Sequence, residues 1–336
     1  MHHININVDE LGPIKLAKIF YDNKHLNESI IHKILQRLID VLFLEPNVLY
    51  LQAPIIVCGN IRGELYELFQ IFSKSGDDFL NATSEPTKLN NSYLFLGNYA
   101  IRGYKTIETF IFLASLKIKY PNQIFLLRGK DEHPNENQIN GLFEECLYLY
   151  GHSGLWHFMN DAFIFLPIAA VIDNRIFCVN GGLSPRINFI GQITTLYRRT
   201  HKNKAIEDLL WSRPESVSKF IVNRKSLGYY FGKRQTFSFL YNNGLMKRGE
   251  KLTDDDIKDP RNALMILSLG YTKDGFEWCH ENKIVLISSA PKYFHDINCN
   301  GVFVKLTKDQ GPNIINIDQS NKKYNKNDDT EIEYLY

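Results

Sequence analysis

The chain has 336 residues, 44% of them hydrophobic, and a formal net charge of +2. That balance excludes the basic footprint of a nucleic-acid binder, and no run of 18 apolar residues marks a membrane span. The five cysteines (Cys58, Cys146, Cys178, Cys279 and Cys299) are odd in number and form no Cys-x-x-Cys pair, which points to reduced thiols rather than a disulfide framework. The N-terminus lacks the charged-then-apolar pattern of a signal peptide, so a cytoplasmic or nuclear location is expected, not secretion.

A short helical stretch covers Ile14 to Tyr21. Asn27-Glu28-Ser29 then opens an amphipathic helix from Ile30 to about Glu45, with Ile30, Ile31, Ile34, Leu35, Leu38, Ile39 and Leu42 on one face, stopped by Pro46. The apolar run Pro54-Ile55-Ile56-Val57-Cys58 reads as a buried strand, Gly59-Asn60-Ile61-Arg62-Gly63 as a tight turn, and Leu65 to Phe72 as a helix. Residues 76–91 are a polar loop. A second unit follows: strand 93–96, the turn from Gly97 to Gly103, helix 106–119. A third has strand 124–127, the turn from Arg128 to Glu132, and a helix from about 138 to 149. Three strand–turn–helix units in succession predict a parallel α/β core, whose site belongs at the carboxyl ends of its strands.

After Gly154 a helix leads into the hairpin 169–172 and 175–179, turning at Asp173-Asn174. The loop Asn180-Gly181-Gly182-Leu183-Ser184-Pro185 follows. Strands are expected at 265–267, 276–279, 284–287, 302–306 and 314–317, forming a second, mixed sheet. The aromatic residues Tyr229, Tyr230, Phe231, Phe237, Phe239 and Tyr241 read as core of that sheet. Residues 246–261 are dense in charge and read as an exposed insertion, and the Asn/Lys/Asp-rich stretch from 319 as a flexible tail. The domains expected are a helical segment at 1–50 packed on the core, the main domain at 51–318, and the tail at 319–336.

From about residue 10 to about 306, the order and spacing resemble the catalytic core of the phosphoprotein-phosphatase family of serine/threonine phosphatases. Leu126-Leu127-Arg128-Gly129, Gly181-Gly182-Leu183-Ser184-Pro185, Asp208-Leu209-Leu210-Trp211-Ser212 and Ser289-Ala290-Pro291 match its scaffold phrases. Glu45-Pro46-Asn47-Val48, Gly103-Tyr104-Lys105-Thr106-Ile107-Glu108, Tyr150-Gly151 and Trp278-Cys279-His280 look like the type-2A catalytic subunit. The resemblance implies an α/β metallophosphoesterase fold, a two-sheet sandwich flanked by helices. It also implies two divalent metal ions (Mn, Fe or Zn in the family) that bridge an attacking hydroxide.

The ligands that resemblance calls for are replaced. Where the family has Gly-Asp-x-His-Gly, this chain has Asn60 and Arg62. Where it has Gly-Asp-x-x-Asp-Arg-Gly, this chain has Asn98 and Ile101. Where it has Gly-Asn-His-Glu, this chain has Lys130 and Asp131, with Glu132 retained. Asn180 and Leu269 stand at the two remaining histidine ligands. All six metal-ligand positions (Asn60, Arg62, Asn98, Lys130, Asn180 and Leu269) and both acid positions (Asp131 and Ile101) are therefore vestigial. Neutral amide oxygens are weak ligands for a transition metal without carboxylate or imidazole beside them, and Arg62 and Lys130 repel metal. No cofactor is expected.

Arg102 stands unchanged at a phosphate-gripping position, Lys225 replaces the second arginine, and Tyr293 matches the site tyrosine after Lys292. Two readings of the cations follow. Arg62, Arg102, Lys130 and Lys225, with Tyr293, bind phosphate in place of the metals, or the cations pair with Asp131, Glu132 and other carboxylates in a dead cleft. His133, one residue out of register, is set aside as a relocated acid, and His280 and His295 as packing or surface residues.

The function expected is a catalytically inactive phosphatase homologue acting as an interaction or scaffold subunit. The alternatives are a diverged metal-dependent phosphatase with weak activity and a sensor of phosphate or phosphopeptide. The type-2A likeness implies protein partners: a helical-repeat scaffold and regulatory subunits. Because the chain closes on Tyr336 rather than leucine, tail methylation is not expected.

Overall fold

The computed structural model describes residues 3–4, 7, 11–99, 103, 105–246, 259, 263–268, 270, 272–293, 297–308 and 310–318, without the side chains of 3, 4, 292, 293, 297 and 298. The expected insertion 246–261 falls outside these residues apart from its first residue and 259, and so do His295 and the tail.

The chain runs β1 (His3–Ile4), α1 (Pro13–Tyr21), β2 (His25–Leu26), α2 (Glu28–Phe43), β3 (Val48–Leu51), β4 (Ile55–Cys58), α3 (Leu65–Lys74), β5 (Ser92–Phe95), α4 (Thr106–Lys119) and β6 (Ile124–Leu126). The buried face of α2, at Ile30, Ile31, Ile34, Leu35, Leu38 and Leu42, has the spacing that predicts it. The single helix expected from 138 to 149 is two, α5 (Pro134–Ile139) and α6 (Leu142–Tyr150). They part at Gly141, whose φ of +106° no α-helix accommodates. Then come α7 (Gly154–Phe163) and the hairpin β7 (Ala169–Ile172) to β8 (Ile176–Val179). Asp173 and Asn174 have φ of +51° and +53°, as a type I′ turn requires.

The later half holds α8 (Ile190–Thr194), α9 (Lys204–Trp211), β9 (Arg213–Pro214), β10 (Ile221–Val222), β11 (Tyr229–Phe231), α10 (Lys233–Asn242), β12 (Leu264–Leu267), β13 (Phe276–Cys279), β14 (Ile284–Ile287), β15 (Lys292–Tyr293), β16 (Ile297–Asn298), β17 (Gly301–Leu306) and β18 (Asn313–Ile317).

Two sheets form a sandwich. One has the order β13-β14-β12-β8-β7-β3 and the other β18-β17-β4-β5-β6. The late strands thus do not make a sheet of their own. β12, β13 and β14 extend the sheet begun by β7 and β8, whereas β17 returns antiparallel to β4 and carries β18 beside it. Period-two alternation decides which layer each side chain enters. Ile55, Val57 and Leu94 face the inter-sheet core with Cys178, Ile266 and Val285. Ile56, Cys58, Tyr93 and Phe95 face the helices, in one core with α1, α2, α3 and α4. On the other outer face, Phe177, Val179 and Met265 pack with Leu209, Phe231 and Phe239. The aromatic stretch thus supplies core to that sheet from outside it: Phe231 and Phe239 are buried against it and Phe237 and Tyr241 pack at its margin, although they belong to helix α10 (Phe237, Phe239, Tyr241) and to a small three-stranded sheet, β10-β11-β9 (Tyr229–Phe231). All five cysteines are free thiols.

β4, β5 and β6 run parallel, as do β8, β12 and β14, so the turns leaving them gather at one end of the sandwich. Buried Arg198, in the segment between α8 and α9, braces that end. It donates from Nη2 to the carbonyls of Leu42 (2.8 Å) and Glu45 (2.7 Å), from Nη1 to Asn47 Oδ1 (2.8 Å) and from Nε to the Phe165 carbonyl (3.0 Å). Its own carbonyl accepts from Arg128 Nη2 at 2.6 Å, linking it to the third turn. Arg198→Ala would strand helix-end carbonyls in the interior. It is expected to cost about 2–4 kcal/mol, read as a lowered urea midpoint at unchanged slope; a loss of under ~0.5 kcal/mol contradicts this account.

Candidate functional site: the cleft at the strand ends

The ends of β4, β5, β6, β8 and β12 build the site. After β4, the chain turns at Gly59, where an added Cβ would lie 2.4 Å from the Ile287 carbonyl oxygen, so only glycine passes so close to β14. The Gly59 amide donates to Ser289 Oγ (2.9 Å), and the Ser289 amide returns a bond to the Asn60 carbonyl (3.1 Å). After β5, Gly97 has φ of +105° and abuts Gly129. Asn98 follows at φ +59°, a left-handed conformation that asparagine tolerates better than most residues; Arg62 holds +54°. The Asn98 carbonyl accepts from the Arg62 amide at 2.9 Å, and Tyr99's from Gly63 at 2.8 Å, so the first two turns are laced together.

The retained carboxylate, Glu132, clasps the second and third turns. Its Oε2 accepts from the amides of Asn98 (2.8 Å) and Gly129 (2.7 Å), and its Oε1 from Tyr99 (2.8 Å). Burial, with help from Asp131, pushes its carboxyl up to about 7, against the pull of those three N–H donors.

Within this frame the replaced ligands form one hydrogen-bonded chain. Asn60 Oδ1 accepts from Asn98 Nδ2 (2.7 Å) and from Ser268 Oγ (2.7 Å). Asn98 Oδ1 accepts from the Asp131 amide (3.1 Å). Asn180 Oδ1 accepts from the Lys130 amide (3.1 Å), while its Nδ2 donates to the Leu96 carbonyl (2.9 Å). Asn60, Asn98, Asn180 and Asp131 are all fully buried. Ser268, which closes the network from the end of β12, was not among the residues singled out from the sequence. Its place at the end of a parallel strand was the available signal.

The charges lie at the rim of this network. Lys130 Nζ is 2.8 Å from Asp131 Oδ1 and 3.8 Å from Glu136 Oε2. Burial disfavours its charge, but Asp131 and Glu136 outweigh burial and hold the ammonium above the usual lysine value, while Arg62 pulls the other way. The Arg62 residue is 6% exposed. Among the described residues, Asp131 Oδ2 and Asn60 Nδ2 find no hydrogen bond.

Lys225 sits in the exposed turn between β10 and β11, its amide donating to Asn223 Oδ1 at 3.0 Å. No described hydrogen bond or ion pair ties its side chain to the asparagine network. Ile101, Arg102 and Leu269 lie outside the described residues, as does the side chain of Tyr293. His133 is held at both ring nitrogens: Nδ1 accepts from the Asn135 amide (3.3 Å), capping α5, and Nε2 faces the His201 carbonyl (3.2 Å). A ring so engaged serves as a cap, not as an acid.

This donor set does not fit a pair of divalent metals. The amide oxygens at the ligand positions already accept hydrogen bonds, an amide NH₂, a serine hydroxyl, Lys130 and Arg62 stand beside them, and the two carboxylates are engaged elsewhere, Asp131 by Lys130 and Glu132 by three backbone amides. A metal ion wants anionic or imidazole donors at these places. Among the described residues, no three His, Cys, Asp or Glu side chains gather as such an ion requires.

Residues 53–246 match the calcineurin-like phosphoesterase family, well over half of the chain. The chain belongs to that family. Among solved structures, it is similar to a protein serine/threonine phosphatase from Saccharomyces cerevisiae with similarity to human phosphatase PP5. The two share 23% identity over 93% of this chain and 98% of that one, at a TM-score of 0.77. At that identity the likeness establishes the calcineurin-like fold, the two-sheet sandwich with flanking helices. A cold-active protein-tyrosine phosphatase from a Shewanella species aligns over 83% of this chain and 84% of its own at 12% identity. Its TM-score of 0.45 is too low to carry an argument.

The asparagine network makes a prediction. Asn98→Asp deletes the bond to Asn60 Oδ1 and sets a buried carboxylate against that oxygen. It is expected to destabilise the chain by about 2–4 kcal/mol at neutral pH, with no recovery on adding manganese and partial recovery where the new carboxyl is protonated. Equal denaturation midpoints, or rescue by metal, would contradict the network as drawn.

A second prediction concerns His201, beside His133. Burial, then Arg128 and His133, push its imidazole from 6.5 down to about 4. The unfolded chain therefore takes up this proton first as pH falls, so the stability His201 contributes is intact above 6.5 and drains away toward 4. The stability difference between the natural chain and His201→Gln should move against the natural chain over that window. A difference that does not vary with pH refutes the assignment.

Proposed function

We propose that the chain is a catalytically inactive member of the serine/threonine phosphatase branch of its family, retained as an interaction subunit. The observation that carries this reading is the double acceptance at Asn60 Oδ1, from Asn98 Nδ2 and Ser268 Oγ. Two ligand positions are spent on each other, and the carboxylate beside them, Asp131, is ion-paired with Lys130, with no imidazole among the network's described members. Metallophosphoesterase chemistry needs a metal-activated hydroxide at this place. The residues that remain supply positive charge and structural hydrogen bonds, and neither activates water. The acid position fares no better, because Asp131 is ion-paired with Lys130. That pairing also weighs against the phosphate-sensor reading, since it occupies one of the cations a phosphate would need.

The outer surface supports a role in contacts with protein. Phe43 (51% exposed), Leu44 (83%) and Tyr197 (67%) stand out from the end of α2 and the segment after α8. Arg199 lies 3.9 Å over the Phe43 ring. Large exposed apolar groups of this kind mark interaction surfaces. A scaffold of helical repeats and regulatory subunits are the partners in keeping with the type-2A-like stretches.

Metal content by plasma mass spectrometry, on protein purified without chelator, tests the proposal together with p-nitrophenyl phosphate turnover in added manganese. Substoichiometric metal and no turnover above buffer are expected. A stoichiometric metal pair, with turnover abolished by chelator, would show the chain to be an enzyme.

A further inference from the structure

The 30 residues from Arg213 to Asn242 carry six basic side chains, Arg213, Lys219, Arg224, Lys225, Lys233 and Arg234, against one acid, Glu215. The whole chain has a net charge of only +2. Positive charge is thus concentrated on the face built by β9, β10, β11 and α10. Lys233 is paired with Glu281. That face also holds a groove of about 120 Å³, floored by Leu183, Ile187, Phe220 and Phe239 and rimmed by Arg234. Beside it, Ile221, Val222 and Phe189 are 44%, 59% and 52% exposed, and β10 is an edge strand of its small sheet. An apolar floor, a polar rim that carries the Arg234 guanidinium among Asn188, Gln235, Ser238 and Asn242, and an adjoining strand edge fit an extended segment that alternates acidic and apolar residues.

This chain carries such a segment. Residues 328–336 (Asp-Asp-Thr-Glu-Ile-Glu-Tyr-Leu-Tyr) hold four acids and no base. Extended, they place Ile332, Tyr334 and Tyr336 on one side, after Asp328 and Thr330, and Asp329, Glu331 and Glu333 on the other, before Leu335. We propose that residues 328–336 dock in cis on the groove between Phe220 and α10, their apolar side on its floor and their carboxylates against the Arg234 guanidinium on its rim.

β18 ends at Ile317 on the edge beside β17, and the Asn300 amide before β17 donates to the Lys273 carbonyl just ahead of β13. His280, directly after β13, meets Thr236 of α10 at 2.8 Å. The nine residues 319–327 span roughly 30 Å when extended. The docking is independent of the catalytic question, since it uses none of the strand-end residues of the cleft.

Photo-crosslinking in the full-length chain tests it, with Tyr334 replaced by p-benzoyl-L-phenylalanine. Isotope-labelled and unlabelled chains are mixed so that crosslinks within and between chains are told apart by mass. Crosslinks should map to α10, to residues 183–188 or to Phe220, within single chains. Their yield should fall roughly fivefold in Lys225→Glu/Arg234→Glu and in 1 M salt. Glu331→Lys/Glu333→Lys, which leaves the groove untouched, should lose the crosslink equally, and combining both pairs should restore it. Melting by circular dichroism confirms that each variant is folded. Crosslinks that map elsewhere or join different chains, or a yield unmoved by charge reversal, would overturn the proposal.

Discussion

Asn60 Oδ1 is where the two halves of the sandwich are pinned together. Its two donors come from different sheets: Asn98 from the turn after β5 in the five-stranded sheet, Ser268 from the end of β12 in the six-stranded one. Polar strand ends that meet inside a protein must find partners. In the serine/threonine phosphatases that this chain resembles, cations would neutralise converging carboxylates. Here the same convergence is met by amides, and an amide both gives and takes a hydrogen bond. That is why the asparagines are coherent as a set. One alone would leave a carboxylate facing a carbonyl; together they pair amide with amide, leaving Asn60 Nδ2 as the unpartnered amide donor among them.

The charges that remain obey the same logic. Glu132 is buried and survives because three backbone amides converge on it. It clasps the second turn to the third, work that any phosphoesterase turn of this shape needs whether or not a metal sits nearby. Lys130 replaces a neutral ligand by a cation, and the neighbour that tolerates it is Asp131 at the former acid position. Lys130 and Asn60 thus find partners at other aligned positions, Asp131 and Asn98. Decay at random would more often leave a buried charge alone, at a cost of several kcal/mol.

Much of this was legible in the residues. The three strand–turn–helix units, the hairpin at Asp173-Asn174 and the amphipathic α2 follow from period and turn chemistry, which are local. The places of Asn60, Arg62, Asn98, Lys130 and Asn180 just past strand ends were legible as well, because glycine-flanked turns fix where strand ends fall. What escaped was non-local or weakly periodic. No pattern in Val302 to Leu306 tells which sheet it joins, since all four neighbours of a doubly buried strand are apolar. Helix α10 (Lys233–Asn242) is aromatic enough to pass for strand, and Gly141 splits a helix through a backbone angle its apolar spacing does not report. Ser268 escaped because a serine at a strand end is unremarkable until Asn60 is seen to accept its hydroxyl.

The glycines show why a phosphoesterase outline persists where the metal ligands have gone. An added Cβ at Gly97 would fall 2.4 Å from the Gly129 amide nitrogen; one at Gly129, 2.3 Å from Asn98 Oδ1 and 2.4 Å from its amide; one at Gly59, 2.4 Å from the Ile287 carbonyl. These contacts lie between backbones of neighbouring turns, so selection for folding alone keeps each glycine. No equivalent packing demand holds an aspartate or a histidine at the aligned ligand positions, where Asn60, Asn98 and Asn180 satisfy their neighbours through hydrogen bonds. The motif therefore comes apart along a physical line: residues that make room stay, and residues that supplied charge to a metal change. A match to the scaffold phrases reports the first group and carries no information about the second.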